Sequence, residues 1–239
     1  QVEAKAYPNL LFSLCWLNNT KKYLEAAKNY YEIIPKYGGN FSYNSRNEKF
    51  LKIGFVSGDF KSHPVSYFLK DTLKNLKDKN LKLFAYSNNY EEDNFTKELK
   101  KNFDKWNLIF NKNDKDIINL IRKDNIDILF DLSGHTKIKK LTIFKNRCAP
   151  VQVTWSGWLA STGVKEIDYI IGDPYVTPHT DQPKFVEKIY QLKKIWQSLS
   201  ISDLDSNIFS IKKNENNYIT FGSFNNTIKL NENVIKIWS

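Results

Sequence analysis

With 239 residues, 41% of them hydrophobic and 15% aromatic, the chain has ample material for a packed core, so disorder is excluded as its default state. Lys and Arg outnumber Asp and Glu by 36 to 26, a net charge of +10, yet the cations are nearly all lysines scattered among asparagines. Without arginine clusters and interleaved aromatics this reads as a solvated surface, with no nucleic-acid partner expected. No apolar run is long enough to span a bilayer and no signal peptide is present, so no membrane partner is expected either. Cys15 and Cys148 stand far apart and unaccompanied, which predicts reduced thiols, a cytoplasmic location and no metal site. The chain begins at Gln1, holds no methionine and ends inside a helical pattern, and is expected to be a piece of something longer.

Residues 1–37 carry helical spacing in Leu10, Leu11, Leu14 and Leu17, then in Tyr23, Ala26, Ala27, Tyr30 and Ile34, with Asn18-Asn19-Thr20 as the turn of a helical hairpin. Such a hairpin suits the tail of a helical-repeat array. Residues 38–47 form a polar, glycine-containing linker. From Leu51 a βα alternation begins. Strands are expected at Leu51–Val56, Leu81–Tyr86, Trp106–Phe110, Ile126–Phe130, Val151–Trp155 and Ile167–Ile171. Helices are expected after Pro64, with Val65, Phe68, Leu69, Leu73 and Leu76 as the apolar stripe, and over Lys97–Phe103 and Asp114–Arg122. The alternation predicts a doubly wound parallel sheet, in which order 3-2-1-4-5 would make the first and fourth strands neighbours at the switch point. Residues 198–216 look like an irregular crossing. A fresh strand at Tyr218–Gly222 and a helix over Asn231–Trp238 then read as the opening unit of a second α/β domain.

Two loops leaving strands repeat one arrangement, a carboxylate four residues before a histidine: Asp59 with His63, and Asp131 with His135. The chain has three histidines in all, so two in matching loops argue against scattered placement. A carboxylate beside an imidazole can orient it and favour its protonated form, the arrangement of an acid/base pair. The alternative for Asp59 and His63 is a capping pair that satisfies the loop, and the two readings stand about even. Asp131 directly follows an apolar strand and is expected to hold its loop, with His135 lining the cleft. Residues 156–163, small and glycine-containing at a strand end, could approach a ligand through the backbone. Asn225, Asn226 and Lys229 precede the last helix, where a lysine could meet a phosphate, although an ordinary polar turn is the simpler reading. Neither G-x-G-x-x-G nor G-x-x-x-x-G-K-[ST] occurs.

GFVSGDFKSHPVSYF (54–68), DLSGHT (131–136), APVQVTWSGWLASTG (149–163), DYIIGDPYVTP (168–178), EKIYQL (187–192) and FGSFNNTIK (221–229) follow one another in this order. Together they resemble the catalytic region of the O-GlcNAc transferase and SPINDLY family, especially its bacterial tetratricopeptide-linked members, and YPNLLFSL (7–14) resembles the helical segment before that region. The resemblance implies a GT-B fold. Residues 1–47 would be a helical linker, 48–197 the N-terminal Rossmann-like lobe, 198–217 the crossing, and 218–239 the start of the second lobe. It implies inverting, metal-independent transfer of N-acetylglucosamine from UDP-GlcNAc to Ser or Thr of a protein acceptor, with no cofactor besides that nucleotide-sugar donor. By match to the motifs, His63 would be the base or an acceptor-positioning group, Asp59 its companion carboxylate and Lys229 the support of the leaving diphosphate. Ser156, Gly157 and Leu159 would contact the sugar, Asn226 the nucleotide, with Pro64 and Thr136 also at the substrate. Transfer of fucose from GDP-fucose, or a non-catalytic protein-binding scaffold, remain the alternatives.

Overall fold

Seven parallel strands run in the order β3-β2-β1-β4-β5-β6-β7 in a computed structural model that describes all residues except 1, 18, 38, 40, 44–48, 78, 137, 138, 200–217 and 225. They are β1 (Leu51–Ser57), β2 (Leu81–Ser87), β3 (Lys105–Leu108), β4 (Ile128–Asp131), β5 (Val151–Thr154), β6 (Tyr169–Gly172) and β7 (Lys188–Gln191). The helices are α1 (Val2–Trp16), α2 (Thr20–Ile33), α3 (Pro64–Leu76), α4 (Asn94–Lys100), α5 (Asp114–Asp124), α6 (Leu141–Lys145) and α7 (Glu232–Trp238). Two compact units divide the chain, residues 1–200 and 201–239. The crossing expected at 198–216 falls, from residue 200 on, outside the described residues.

Period-two alternation along the strands sorts the core onto the two faces of the sheet. Ile53, Phe55, Leu83 and Ala85 meet Val65, Leu69 and Leu73 of α3 and Leu99 of α4 on one face. Val56, Phe84, Tyr86 and Leu129 meet Ile117, Ile118 and Ile121 of α5, Ile143 and Phe144 of α6, and Tyr30 and Tyr31 of α2 on the other. Winding outward from β1 to β3 uses α3 and α4. The return across β1 to β4 reverses direction, and because parallel crossovers are right-handed, α5 must then lie on the opposite face. The expected order thus holds, and β1 pairs with β4, Phe55 beside Phe130 and Val56 beside Asp131.

Several boundaries shift for identifiable reasons. Asp168, expected inside the sixth strand, instead precedes β6, where its carboxylate takes both Arg147 guanidinium donors at 2.9 Å and the Gln152 amide at 2.8 Å. The Lys97–Phe103 helix begins earlier, at Asn94, because Asp93 accepts the Thr96 amide as its N-cap. β7 and α6 were not anticipated, four and five residues being too short to show a period. Residues 218–222 form no strand, since a strand needs a ladder partner and none of the described residues pairs with them. The helix expected over Asn231–Trp238 is α7, with Asn231 as its N-cap.

The helical hairpin docks on the sheet unit rather than trailing from it. Leu11 and Leu14 of α1 and Tyr23, Ala26 and Ala27 of α2 form one cluster, whereas Leu10 and Leu17, expected on the same stripe, are exposed. At the far end of α2, Lys145 donates to the carbonyls of Tyr31 at 2.5 Å and Ile34 at 2.9 Å, satisfying acceptors that the helix terminus leaves free. Gly163, at φ +73°, lies so near α2 that a Cβ there would fall 2.5 Å from the Ala27 carbonyl oxygen. Gly163→Ala should therefore lower unfolding free energy by about 1–3 kcal/mol in chemical denaturation. An unchanged midpoint would mean that the hairpin does not press on this loop.

Candidate active site at the carboxyl edge of the sheet

Three loops leave neighbouring strands at one edge: 58–63 from β1, 132–136 from β4 and 155–163 from β5. The first is pinned by backbone contacts. Ser57 Oγ accepts the Asp59 amide at 2.9 Å, the Asp59 carbonyl accepts Ser66 Oγ at 2.5 Å, and the Phe60 carbonyl accepts Thr96 Oγ1 at 2.8 Å. Asp93, absent from the residues singled out above, accepts the Ser62 amide at 2.7 Å while capping α4. An Asp ahead of a helical segment is an N-cap signal, but its reach back to Ser62 is tertiary.

These contacts leave the Asp59 carboxylate for His63. Its Oδ1 lies 3.8 Å from His63 Nε2, with the imidazole 40% exposed and the carboxylate side chain 10% exposed. His63 is also the N-cap of α3: Nδ1 accepts the Val65 amide at 3.3 Å, which assigns the ring proton to Nε2. Pro64 fills the first helical position, where its missing N–H is no loss. Burial pushes the Asp59 carboxyl above its ordinary 3.8, with His63 and Lys61 pulling the other way. The pair therefore combines both readings of the sequence, since His63 caps a helix and faces a carboxylate at a half-open strand edge.

The second pair behaves differently. Asp131 holds its loop as expected, accepting the Ser133 amide at 3.1 Å, the Gly134 amide at 3.0 Å and Thr154 Oγ1 at 2.9 Å. His135 does not line a cleft. It is 1% exposed, its Nε2 paired with the Thr162 carbonyl at 2.8 Å and its ring edge-on to Tyr30 and Trp158. Tyr30 and Trp158 close over it because α2 docks here, which a reading of the 131–136 loop by itself could not reveal.

Thr136, Gly157 and Leu159 come together, lining with Phe12, Cys15, Trp16, Trp158 and Ala160 a groove of about 470 Å³. A Cβ on Gly157 would sit 2.0 Å from the Leu132 carbonyl oxygen, so only glycine lets the two loops interlock. Ser156 holds φ +71°, an uncommon backbone for a residue with a side chain, and its hydroxyl and carbonyl both accept from Gln197 Nε2, at 2.7 and 3.2 Å. No sequence signal marks Gln197, which lies 41 residues away.

Asn226 and Lys229 belong to the second unit and are exposed there. Lys229 ends a 3-10 turn at Thr227–Lys229, ahead of α7. Asn225 lies outside the described residues.

Two measurements test this geometry. Asn is a favourable N-cap, so His63→Asn should keep the parent's stability while His63→Ala loses about 0.5–2 kcal/mol; equal losses would mean that His63 caps nothing. Burial pushes the His135 imidazole from 6.5 down to about 3, so between those values the unfolded chain binds the extra proton and stability falls as pH drops. Asp131, pushed by burial from 3.8 up to about 6, acts in the opposite sense between its two values. Acidification through this window should therefore destabilise the parent more than His135→Gln, and equal slopes would place the imidazole outside the folded core.

The lobe resembles solved and curated proteins of one kind. It superposes on a mutant O-GlcNAc transferase from Thermobaculum terrenum with a TM-score of 0.76 and 28% identity, over 81% of this chain and 38% of that one. It is 32% identical over 217 residues to the probable UDP-N-acetylglucosamine–peptide N-acetylglucosaminyltransferase SPINDLY of Solanum lycopersicum, covering 89% of this chain. The barley (Hordeum vulgare) protein of the same name is 36% identical over 194 residues, 79% of this chain. The chain spans 23% of the tomato relative's length and 20% of the barley relative's. Its residues 26–238 match the model of glycosyl transferase family 41, and to that family the chain belongs.

Proposed function

We propose that the protein carrying this chain is an inverting glycosyltransferase that moves N-acetylglucosamine from UDP-GlcNAc onto Ser or Thr hydroxyls of protein acceptors. The observation that carries this reading is the Asp59–His63 pair at the strand edge where β1 and β4 adjoin, in a lobe whose relatives are named for peptide N-acetylglucosaminyl transfer. In this reading residues 48–197 are the first catalytic lobe, residues 1–47 the end of a helical-repeat region, and 218–239 the opening of the second lobe.

Inversion requires the acceptor oxygen to attack the anomeric carbon from the face opposite the departing nucleotide, shedding a proton as it does so. His63 Nδ1 is engaged by the Val65 amide, so a neutral ring offers Nε2–H and not a free lone pair. That supports an acceptor-positioning role for His63 over that of a base. Burial raises the Asp59 carboxyl above its ordinary value, and that carboxylate faces the Nε2–H side of the ring. Thr136, Ser156, Gly157 and Leu159 form the sugar side with Pro64, and Asn226 and Lys229 serve the nucleotide and its leaving diphosphate. The ammonium of Lys229 supplies the charge that such a leaving group needs, without a metal.

Radiolabelled transfer by the full-length protein checks this. UDP-GlcNAc should label acceptor Ser or Thr; labelling from GDP-fucose in its place would assign the fucosyl alternative, and none from either donor the scaffold. His63→Asn, which keeps the cap, should lower kcat by about 10²-fold through a misplaced acceptor, and Lys229→Ala by about 10²–10³-fold. Parent-level turnover in either would remove that residue from the site.

A further inference from the structure

Two buried side chains hold the loop after β5, and the chemistry above uses neither. Tyr23 on α2 is 4% exposed. Its hydroxyl accepts Trp158 Nε1 at 2.7 Å and donates to the Ser161 carbonyl at 2.8 Å, so one oxygen spans both ends of the Trp158–Ser161 segment. From the opposite side Glu187, just ahead of β7, accepts Ser161 Oγ at 2.7 Å, the Thr162 amide at 2.7 Å and Thr162 Oγ1. A buried carboxylate is unfavourable unless its lone pairs are used, and here the three donors all come from one short loop.

Between these anchors and β5 lie Ser156 and Gly157. Ser156 holds its left-handed backbone and Gly157 presses on Leu132, while Leu159 stands 41% exposed between the bridged ends. A strained backbone persists only where its surroundings over-determine it. The Tyr23 bridge comes from 135 residues away in the chain, on a hairpin whose neighbouring cluster is formed by Leu11, Leu14 and Ala27. The ring of Tyr23 packs in the hairpin's apolar cluster, while its hydroxyl reaches the loop.

We propose that Tyr23 is a positioning residue for the 156–163 loop, through which the helical hairpin sets the shape of the sugar-side wall and hence donor affinity. The proposal rests on the glycosyl-transfer reading, and its test separates the two. In the full-length protein, Tyr23→Phe keeps the ring and removes the bridging oxygen. It should raise the donor KM about tenfold, the effect of one lost buried hydrogen bond, with kcat within about twofold of the parent. Amide hydrogen exchange over 157–163 should quicken. Glu187→Gln, which keeps the shape and weakens the acceptor, should shift both readouts in the same direction and serves if Tyr23→Phe folds poorly. A lowered melting midpoint with unchanged donor KM would make Tyr23 merely structural and overturn the proposal, as would unchanged loop exchange in both variants. A parent that transfers no sugar sinks the glycosyl-transfer reading and the donor-affinity claim with it, while faster exchange would still uphold the bridge.

Discussion

Pairing of β1 with β4 sets where everything else at the functional edge can lie. Once the chain has wound outward through β2 and β3, it must come back past β1 to continue, and the handedness of parallel crossovers sends α5 to the other face of the sheet. At that reversal the loops leaving β1 and β4 diverge over opposite faces, the position at which open α/β sheets take their ligands. Val56 and Asp131 are register partners, so the chain turns into its two Asp/His loops side by side. The site is thus a consequence of topology before any side chain is considered.

Within that frame the two similar loops take opposite fates, and packing makes the difference. The 58–63 loop is fastened by its backbone to Ser57, Ser66, Thr96 and Asp93, which leaves the Asp59 carboxylate to face His63, a half-open ring that also caps α3. The 132–136 loop is fastened by the Asp131 carboxylate itself and covered by α2 and Trp158, so His135 becomes a core histidine held neutral by burial. Identical spacing, carboxylate then histidine four residues on, therefore supports different chemistry depending on what lies above the loop.

The helical hairpin is the element whose importance grows most on seeing the fold. Its apolar stripe is legible in Leu11, Leu14, Tyr23, Ala26 and Ala27, and that stripe suffices to predict two packed helices. What it covers is not legible. Tyr23, Tyr30 and Tyr31 reach the 156–163 loop, His135 and Glu166 respectively, contacts spanning more than 100 residues of sequence. Lys145 on α6 closes the far end of α2 in the same way. The hairpin is thereby continuous with the core of the first unit.

Sequence alone determined the local and periodic features. β-branched and aromatic runs bounded by polar turns marked six strands, helical spacing marked the crossovers, and the alternation of the two dictated a doubly wound sheet with β1 and β4 adjoining. Those signals are local because backbone pairing and one-sided burial impose a period on the residues nearby. Tertiary structure decided the rest: that His63 is half-open and His135 sealed, that Gln197 and Asp93 brace the site, and that four-residue β7 joins the sheet. A side chain's burial and partners come from whichever distant segment packs over it, and no spacing within its own loop records that segment.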